Sequence, residues 1–284
     1  LMILDLSDDS NRGNYYGTYT GIYRLGSLFG VLVGGVLADF FGLRPVAIAL
    51  GLLTLLSVPI VMLNTPKSSV AERPSAAEKT DLRFILAFMR EKRDLLYLIV
   101  TGLLITMICE GIFSSTLSLL IETNYSTLLV FGISIGASSA AGILQAMRWG
   151  WGPWLSPWFG RKFDVSKNNR RVLWITLLFV AALFALVPVP LPFLSWIIII
   201  IGIMLIATLL ATLMDTLVTA QASAANKVLV ITLYTLGLDI GAAIGPIVGF
   251  SLHVDTVYWI CAVLLGFIAL FWLKRSRSVP DIMT

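Results

Sequence analysis

Asn64–Asp94, NTPKSSVAERPSAAEKTDLRFILAFMREKRD, is the longest polar interval in a sequence that is otherwise hydrophobic. Seven of the 20 basic residues fall in it: Lys67, Arg73, Lys79, Arg83, Arg90, Lys92 and Arg93. Its first half is rich in Pro, Ser, Ala and Glu, a composition that buries too little apolar surface to fold alone. In its second half Leu82, Ile85, Leu86 and Met89 recur at helical spacing among basic residues. That pattern predicts a short helix lying on a membrane surface. The interval therefore divides the chain into residues 1–63, a linker at 64–94, and residues 95–284.

Working outward, the flanking sequence can only belong in lipid. Hydrophobic residues make up 58% of the 284 and charged residues 13%, against roughly a quarter charged in a soluble domain. A soluble fold of this size has no means of hiding so much apolar surface. Eight segments are long and apolar enough to read as membrane spans, near 14–38, 46–63, 95–120, 126–147, 172–188, 193–215, 228–251 and 256–273. The class is an all-α, multi-pass membrane protein. Its loops alternate in charge, and 18 of the 20 basic residues, Arg148 to Arg171 among them, fall on one side. The positive-inside rule makes that side, and the C-terminus with it, cytoplasmic. The net charge of +4 thus reflects membrane orientation and gives no reason to expect a nucleic-acid partner. Tryptophans 149, 151, 154 and 158, in the run WGWGPWLSPWF, read as part of an interfacial belt.

Enzyme chemistry finds little support. There is no HExxH, no Walker loop and no Cys or His ligand cluster, so neither a metal nor a cofactor is expected. Cys109 and Cys261 both fall inside spans. Gly132-Ile133-Ser134-Ile135-Gly136 matches the nucleophile-elbow pattern, which needs a strand-to-helix turn and a base. The match is expected within a helix, with the only histidine, His253, beyond another span.

Local motifs point to a family. DLSDDSNRGNYYGTYTGIYRLGSLFGVLVGGVLADFFGLRPV, with its Arg12-Gly13 pair and its Gly35-x3-Asp39-x2-Gly42-x-Arg44 ending, resembles the major facilitator superfamily from the end of helix four to helix six. GLDIGAAIGPIVGF, Gly237–Phe250, resembles that family's eleventh helix, in a form similar to drug and metabolite exporters. Gly160-x3-Asp164 is a degenerate form of the loop after helix eight. The resemblance implies helices five to twelve of a twelve-helix fold. Residues 1–63 would then be the remainder of the N-terminal bundle and 95–284 the C-terminal six-helix bundle and tail. Helices one to three and most of four would lie outside the sequence as partners of what is present. Gly35, Asp39, Gly42, Arg44, Gly160 and Asp164 are the implied gating residues.

Small residues four apart mark helix contact faces in lipid. Gly26, Gly30 and Gly34 form one such row, Gly132 and Gly136 another, and Gly241 and Gly245 with Pro246 a third. In the resembled fold the first row meets helix eight, and the third meets a helix outside the sequence. Ionisable groups inside spans are functional candidates by default, which singles out Glu110, Asp239 and Arg24, with Tyr23 beside Arg24. Withdrawal from water favours a carboxyl group's neutral form, which suits reversible protonation. Asp215 reads as a solvated or capping residue near a span end. The expectation is a secondary transporter of the plasma membrane that moves a small organic molecule by alternating access and proton-coupled efflux. The alternatives are a sugar or organic-acid importer or facilitator of the same fold, or an inactive fragment or membrane scaffold.

Overall fold

A computed structural model describes residues 12–64, 88–125, 128–130, 133–165, 169–221 and 227–278. Most of the linker falls outside these, as do Gly132 and the side chains of Tyr23, Arg24 and Asp164. Of the surface helix expected there, residues 88–91 are helical.

The described residues form eight long helical rods. The first two, α1 (Arg12–Phe41) and α2 (Leu43–Asn64), are separated by Gly42 alone. The third is continuous: α3 (Arg93–Thr106), a π-helical stretch at Met107–Ile112, and α4 (Phe113–Asn124). It is followed by α5 (Ala137–Val165), α6 (Asn169–Leu186), α7 (Phe193–Ala220), α8 (Lys227–Gly249) and α9 (Val254–Ser278). Six rods are long and apolar enough to cross a membrane: α2, α3–α4, α6, α7, α8 and α9. At about 1.5 Å per residue the 29 residues of α5 match them in length, but Arg, Lys, Gly, Pro and Trp dilute its hydropathy.

The fourth rod differs from expectation. The apolar run that reads as the start of a span instead forms an antiparallel pair, β1 (Leu128–Val130) with β2 (Ile133–Ile135), Leu129 facing Ser134. An apolar run this short fits a strand as well as a helix, and its Leu, Val and Ile residues favour the strand. The helix then runs on to Val165, carrying Pro153 and Pro157 within it. Ser134 accordingly lies in a strand just before a helix rather than within one, which corrects the local setting assumed for the GISIG match. His253 is solvent-exposed and stands 3.8 Å from Asp255.

Gly42 takes φ +81°, and its N–H bonds Ala38 O at 2.9 Å. This left-handed cap ends α1 and lets α2 begin one residue later. The next helix pair is closed by Asp39. Gly136, at the N-cap of α5, has no side chain to cap with, and the Asp39 carboxylate of α1 does so instead. It accepts from Ser138 N at 3.2 Å and Ser139 N at 2.7 Å, the donors a capping side chain normally satisfies. Lower down, a Cβ on Gly35 would stand 2.7 Å from Ser138 O, and one on Gly142 would stand 2.9 Å from Val31 O. These two glycines bring α1 and α5 into backbone contact. A Cβ on Gly26 or Gly30 would meet nothing within 4 Å, and one on Gly34 would meet only Leu50.

The glycine face of α8 packs within the chain, against α3, the π stretch and α4, and not on a helix outside it. A Cβ on Gly111 would lie 2.6 Å from Gly245 Cα, and one on Gly249 would lie 2.9 Å from Thr116 Cγ2. Small residues on both sides make this approach possible. The core below it joins α3, α4, α6, α7 and α9. Trp272 donates to Thr101 at 3.0 Å, Thr116 and Tyr258 share a hydrogen bond at 3.0 Å, and Tyr258 stacks on Phe184. At one end Asp94, in the first turn of α3, pairs with Arg170 at 3.0 Å and with Arg275, tying α3, α6 and α9 together. We call this the Asp94 end and its opposite, where α1 meets α2, the Gly42 end.

Candidate functional site

Glu110 lies in the π-helical stretch. One extra residue per turn breaks the i to i−4 ladder locally and rotates the side chains that follow, a device frequent at functional sites. Ser115 and Thr116 turn their hydroxyls back onto the carbonyls of Gly111 and Ile112, at 2.7 and 2.8 Å. These bonds help satisfy the disturbed backbone. Ile108, Cys109, Gly111 and Ile112 are buried around Glu110, whereas its own side chain is only partly covered.

Its partner is Arg148. The two side chains form an ion pair in which Arg148 Nη2 donates to Glu110 Oε1. Arg148 is 7% exposed, one of the few charged groups buried in the described chain. It is not a loop residue, as its place in the basic sequence 148–171 suggests, because α5 runs well past it. A buried pair of this kind stabilises little by itself, but removing one partner strands the other charge.

Two cavities adjoin the pair. One, of about 170 Å³, is lined by Glu110, Arg148, Trp149, Ser156, Thr208 and Asp215 among others. The other, of about 120 Å³, is lined by Thr106, Cys109, Glu110, Asp215 and Tyr234 among others. Glu110, Ala211 and Asp215 border both. Asp215 accepts from the Tyr234 hydroxyl at 3.1 Å, and Trp151 donates to Thr208 at 3.4 Å beside the first cavity. The site is thus two carboxylates, one guanidinium, a phenol and a row of hydroxyls, drawn from four rods. With both carboxylates ionised it carries one net negative charge, which favours a cation or a proton.

Of the substrate and proton candidates read from sequence, Glu110 is in this site, and the side chains of Arg24 and Tyr23 lie outside the described residues. Asp239 is exposed on α8 and borders neither cavity. Asp39 and Gly35 join α1 to α5, Gly42 makes the turn, and Arg44 is exposed at the start of α2. A Cβ on Gly160 would stand 3.9 Å from Thr212 Cγ2 where α5 passes α7. Gly241 and Gly245 lie on the α3–π seam, and Pro246 lies inside α8. The tryptophan run divides. Trp149 and Trp151 face the site, while Trp154 and Trp158 are exposed and Lys162 sits 3.7 Å over the Trp158 ring. Sequence reading missed Arg148, Asp215 and Tyr234. A signal existed for Asp215: Thr208, Thr212, Asp215 and Thr216 recur at three- and four-residue spacing along an otherwise apolar helix.

Helical rods, a buried ion pair lined by hydroxyls and a cavity between rods are the parts of a membrane carrier. The family model described as Major Facilitator Superfamily matches residues 1–246. The chain belongs to the Major Facilitator Superfamily. It is a multi-pass membrane protein of a transporter family, which implies a lipid bilayer around it and a small-molecule substrate. No curated protein matches the chain.

Proposed function

We propose that this member of the superfamily is a proton-coupled exporter of a small organic molecule, with Glu110 carrying the proton. The reading rests on one observation, the Glu110–Arg148 ion pair beside cavities that Asp215 also lines. With Glu110 ionised, its charge is held by Arg148 and the cavity is occluded by the pair. A proton on Glu110 cancels that charge and frees Arg148 to turn to Asp215. Release of the proton on the other face restores the pair. A carrier needs such a switch between two arrangements, and rocking of two bundles about the site supplies the alternation.

On this reading the rods are helices five to twelve. α1 and α2 belong to one bundle, residues 95–284 to the other, and the stretch 64–94 is the cytoplasmic linker. The α1–α5 seam, with Asp39 and Gly35, is then where the bundles part. The plasma membrane is the membrane proposed, and the distribution of basic residues supports a cytoplasmic C-terminus.

Arg148 favours a second reading, an organic-acid carrier. A buried guanidinium whose partner can be protonated away is a binding group for a substrate carboxylate. The two separate in one experiment. The natural gene product is reconstituted with a pH-sensitive dye inside the vesicles, and candidate amines and carboxylates are added. Proton movement driven by amines and lost in Glu110→Gln supports the exporter. Movement driven by carboxylates and lost in Arg148→Gln supports the acid carrier. Unchanged pH dependence in Glu110→Gln removes Glu110 from either mechanism.

A further inference from the structure

Three rods meet at the Asp94 end, where the spans α3 and α6 begin and α9 finishes. Their charges do not balance there. One carboxylate, Asp94, is shared by two guanidinium groups: Arg170 donates to Oδ2 at 3.0 Å, and Arg275 donates to Oδ1. The trio keeps one positive charge, and in the adjoining turns Arg90, Lys92, Arg93, Arg171 and Lys274 outnumber Glu91. Hydrogen bonding is incomplete as well. At the start of α6 Asn169 Oδ1, Arg170 Nη1 and Trp174 Nε1 are buried with no hydrogen-bond partner. Asn169 and Arg170 are 5% and 7% exposed. Asn169 Nδ2 donates to Phe163 O at 2.9 Å, which leaves its carbonyl oxygen as the unpaired atom. Native proteins seldom bury such groups without a ligand or water to meet them, and a buried charge short of its counter-charge is more unfavourable still. The missing complement is one anion that accepts from Arg170 and Trp174, with a hydroxyl that donates to Asn169. Asp94 and Arg275 keep 30% and 23% of their side chains exposed, so the cluster is reachable from the surface.

We propose that this end of the bundle binds the phosphodiester of an anionic phospholipid whose headgroup carries hydroxyls. Depth favours a lipid over a free anion. Asp94, Arg170 and Arg275 stand at the ends of spans, the level that headgroups occupy. Apolar side chains continue from the cluster along both outer helices. Ile175, Leu178 and Phe179 of α6 and Phe267, Leu270 and Phe271 of α9 are exposed, a surface for acyl chains directly beneath the charges. Arg275 lies 4.6 Å over the Tyr97 ring, and Phe271 packs against the same ring at 5.2 Å. One aromatic ring of α3 thus joins the cation to the apolar wall. Charge then selects among lipids. A phosphodiester carries a single negative charge and cancels the excess of the trio. The ammonium of a zwitterionic headgroup would meet the surrounding cations, whereas a glycerol or sugar headgroup brings no positive charge. Asp94 competes with the phosphate for the same two guanidinium groups. Neutralising it therefore tightens lipid binding, which a cluster with a purely structural role would not do.

Native mass spectrometry of the natural gene product in detergent tests this. The probes are dioleoylphosphatidylglycerol, dioleoylphosphatidylcholine with the same chains, and glycerol 3-phosphate as the soluble anion. Phosphatidylglycerol is expected to bind about tenfold more tightly than phosphatidylcholine and to resist displacement by an equal concentration of glycerol 3-phosphate. Arg275→Gln is expected to weaken phosphatidylglycerol by about tenfold, as loss of one charged hydrogen bond does, and to leave phosphatidylcholine unchanged. Trp174→Phe keeps a ring, removes the N–H, and is expected to weaken it by about two- to tenfold. Asp94→Asn removes a partly exposed competing charge and is expected to tighten it by about two- to fivefold. Lys162→Gln, a change to an exposed cation of α5, is expected to leave it unaltered. Equal affinity for the two lipids, or displacement by glycerol 3-phosphate, overturns the proposal. So does binding that Asp94→Asn fails to tighten, or a loss in Lys162→Gln that matches the loss in Arg275→Gln.

Discussion

Arg148 has no carboxylate but Glu110 within salt-bridge reach among the described residues. Its dependence on that partner makes the pair testable one residue at a time. Replacing Arg148 with Met leaves Glu110 without its counter-charge. Stranding a fully buried charge costs about 3–5 kcal/mol, and because Glu110 is only partly covered the loss is expected to fall below that range. Thermal unfolding in detergent is expected to show that loss, and the double change Glu110→Gln, Arg148→Met to recover much of it. Equal loss in the single and double variants would mean that the pair is not coupled. Asp39 offers a smaller case. Asp39→Ala removes the cap of α5 and is expected to cost about 1 kcal/mol. Gly136→Ala is expected to be destabilising too, because its Cβ would fall on the Asp39 carboxylate. In the Asp39→Ala background that second cost should largely vanish, a non-additivity that a double-mutant cycle reads. At this scale the sequence was legible where a charge interrupts an apolar run, as Glu110 does. It was misleading where a charge sits among polar neighbours. Arg148 is followed by WGWGP and reads as a loop, and Asp215 lies close enough to a helix end to read as a cap.

Among the elements, the α8 seam carries the sharpest expectation. Gly245 faces Gly111 and Met107 O with no room for a side chain. Gly245→Val must push α8 off the π-helical stretch, and overpacking of this sort costs about 1–3 kcal/mol. It should also displace Glu110, so the variant is expected to lose transport as well as melting temperature. Gly266→Val, on α9, meets nothing within 4 Å and is expected to be close to neutral. Similar melting temperatures for the two variants would contradict the packing described. The rods themselves were largely readable, because long apolar runs between polar breaks leave little else to choose. The start of α5 was not. Leu128–Ile135 is as apolar as a span, and only the pairing of β1 with β2 sets it apart from one. The π stretch has no sequence signature apart from a glycine beside an acid, and the partner of the α8 glycine face depends on tertiary packing that no single-sequence pattern encodes.

For the whole molecule, the account makes the two ends of the bundle face opposite sides of the membrane. Ser251→Cys, at the Gly42 end, is expected to react with an impermeant maleimide in intact cells. Lys274→Cys, at the Asp94 end, is expected to react only after permeabilisation. The native thiols, Cys109 and Cys261, are buried, and Cys109, which lines one of the cavities beside Ala211, is replaced by Ala in the labelled variants. The central claim is that protonation of Glu110 opens the cavity, and Ala211 reports on it because it borders both cavities beside Glu110. The decisive measurement is the rate at which Ala211→Cys is alkylated as pH falls, divided at each pH by the rate in the same variant with Glu110→Gln so that thiol ionisation cancels. The account predicts a ratio that starts below one at neutral pH and climbs to one in acid, as the parent comes to match the permanently neutral variant. A ratio that stays level across the pH range would contradict it.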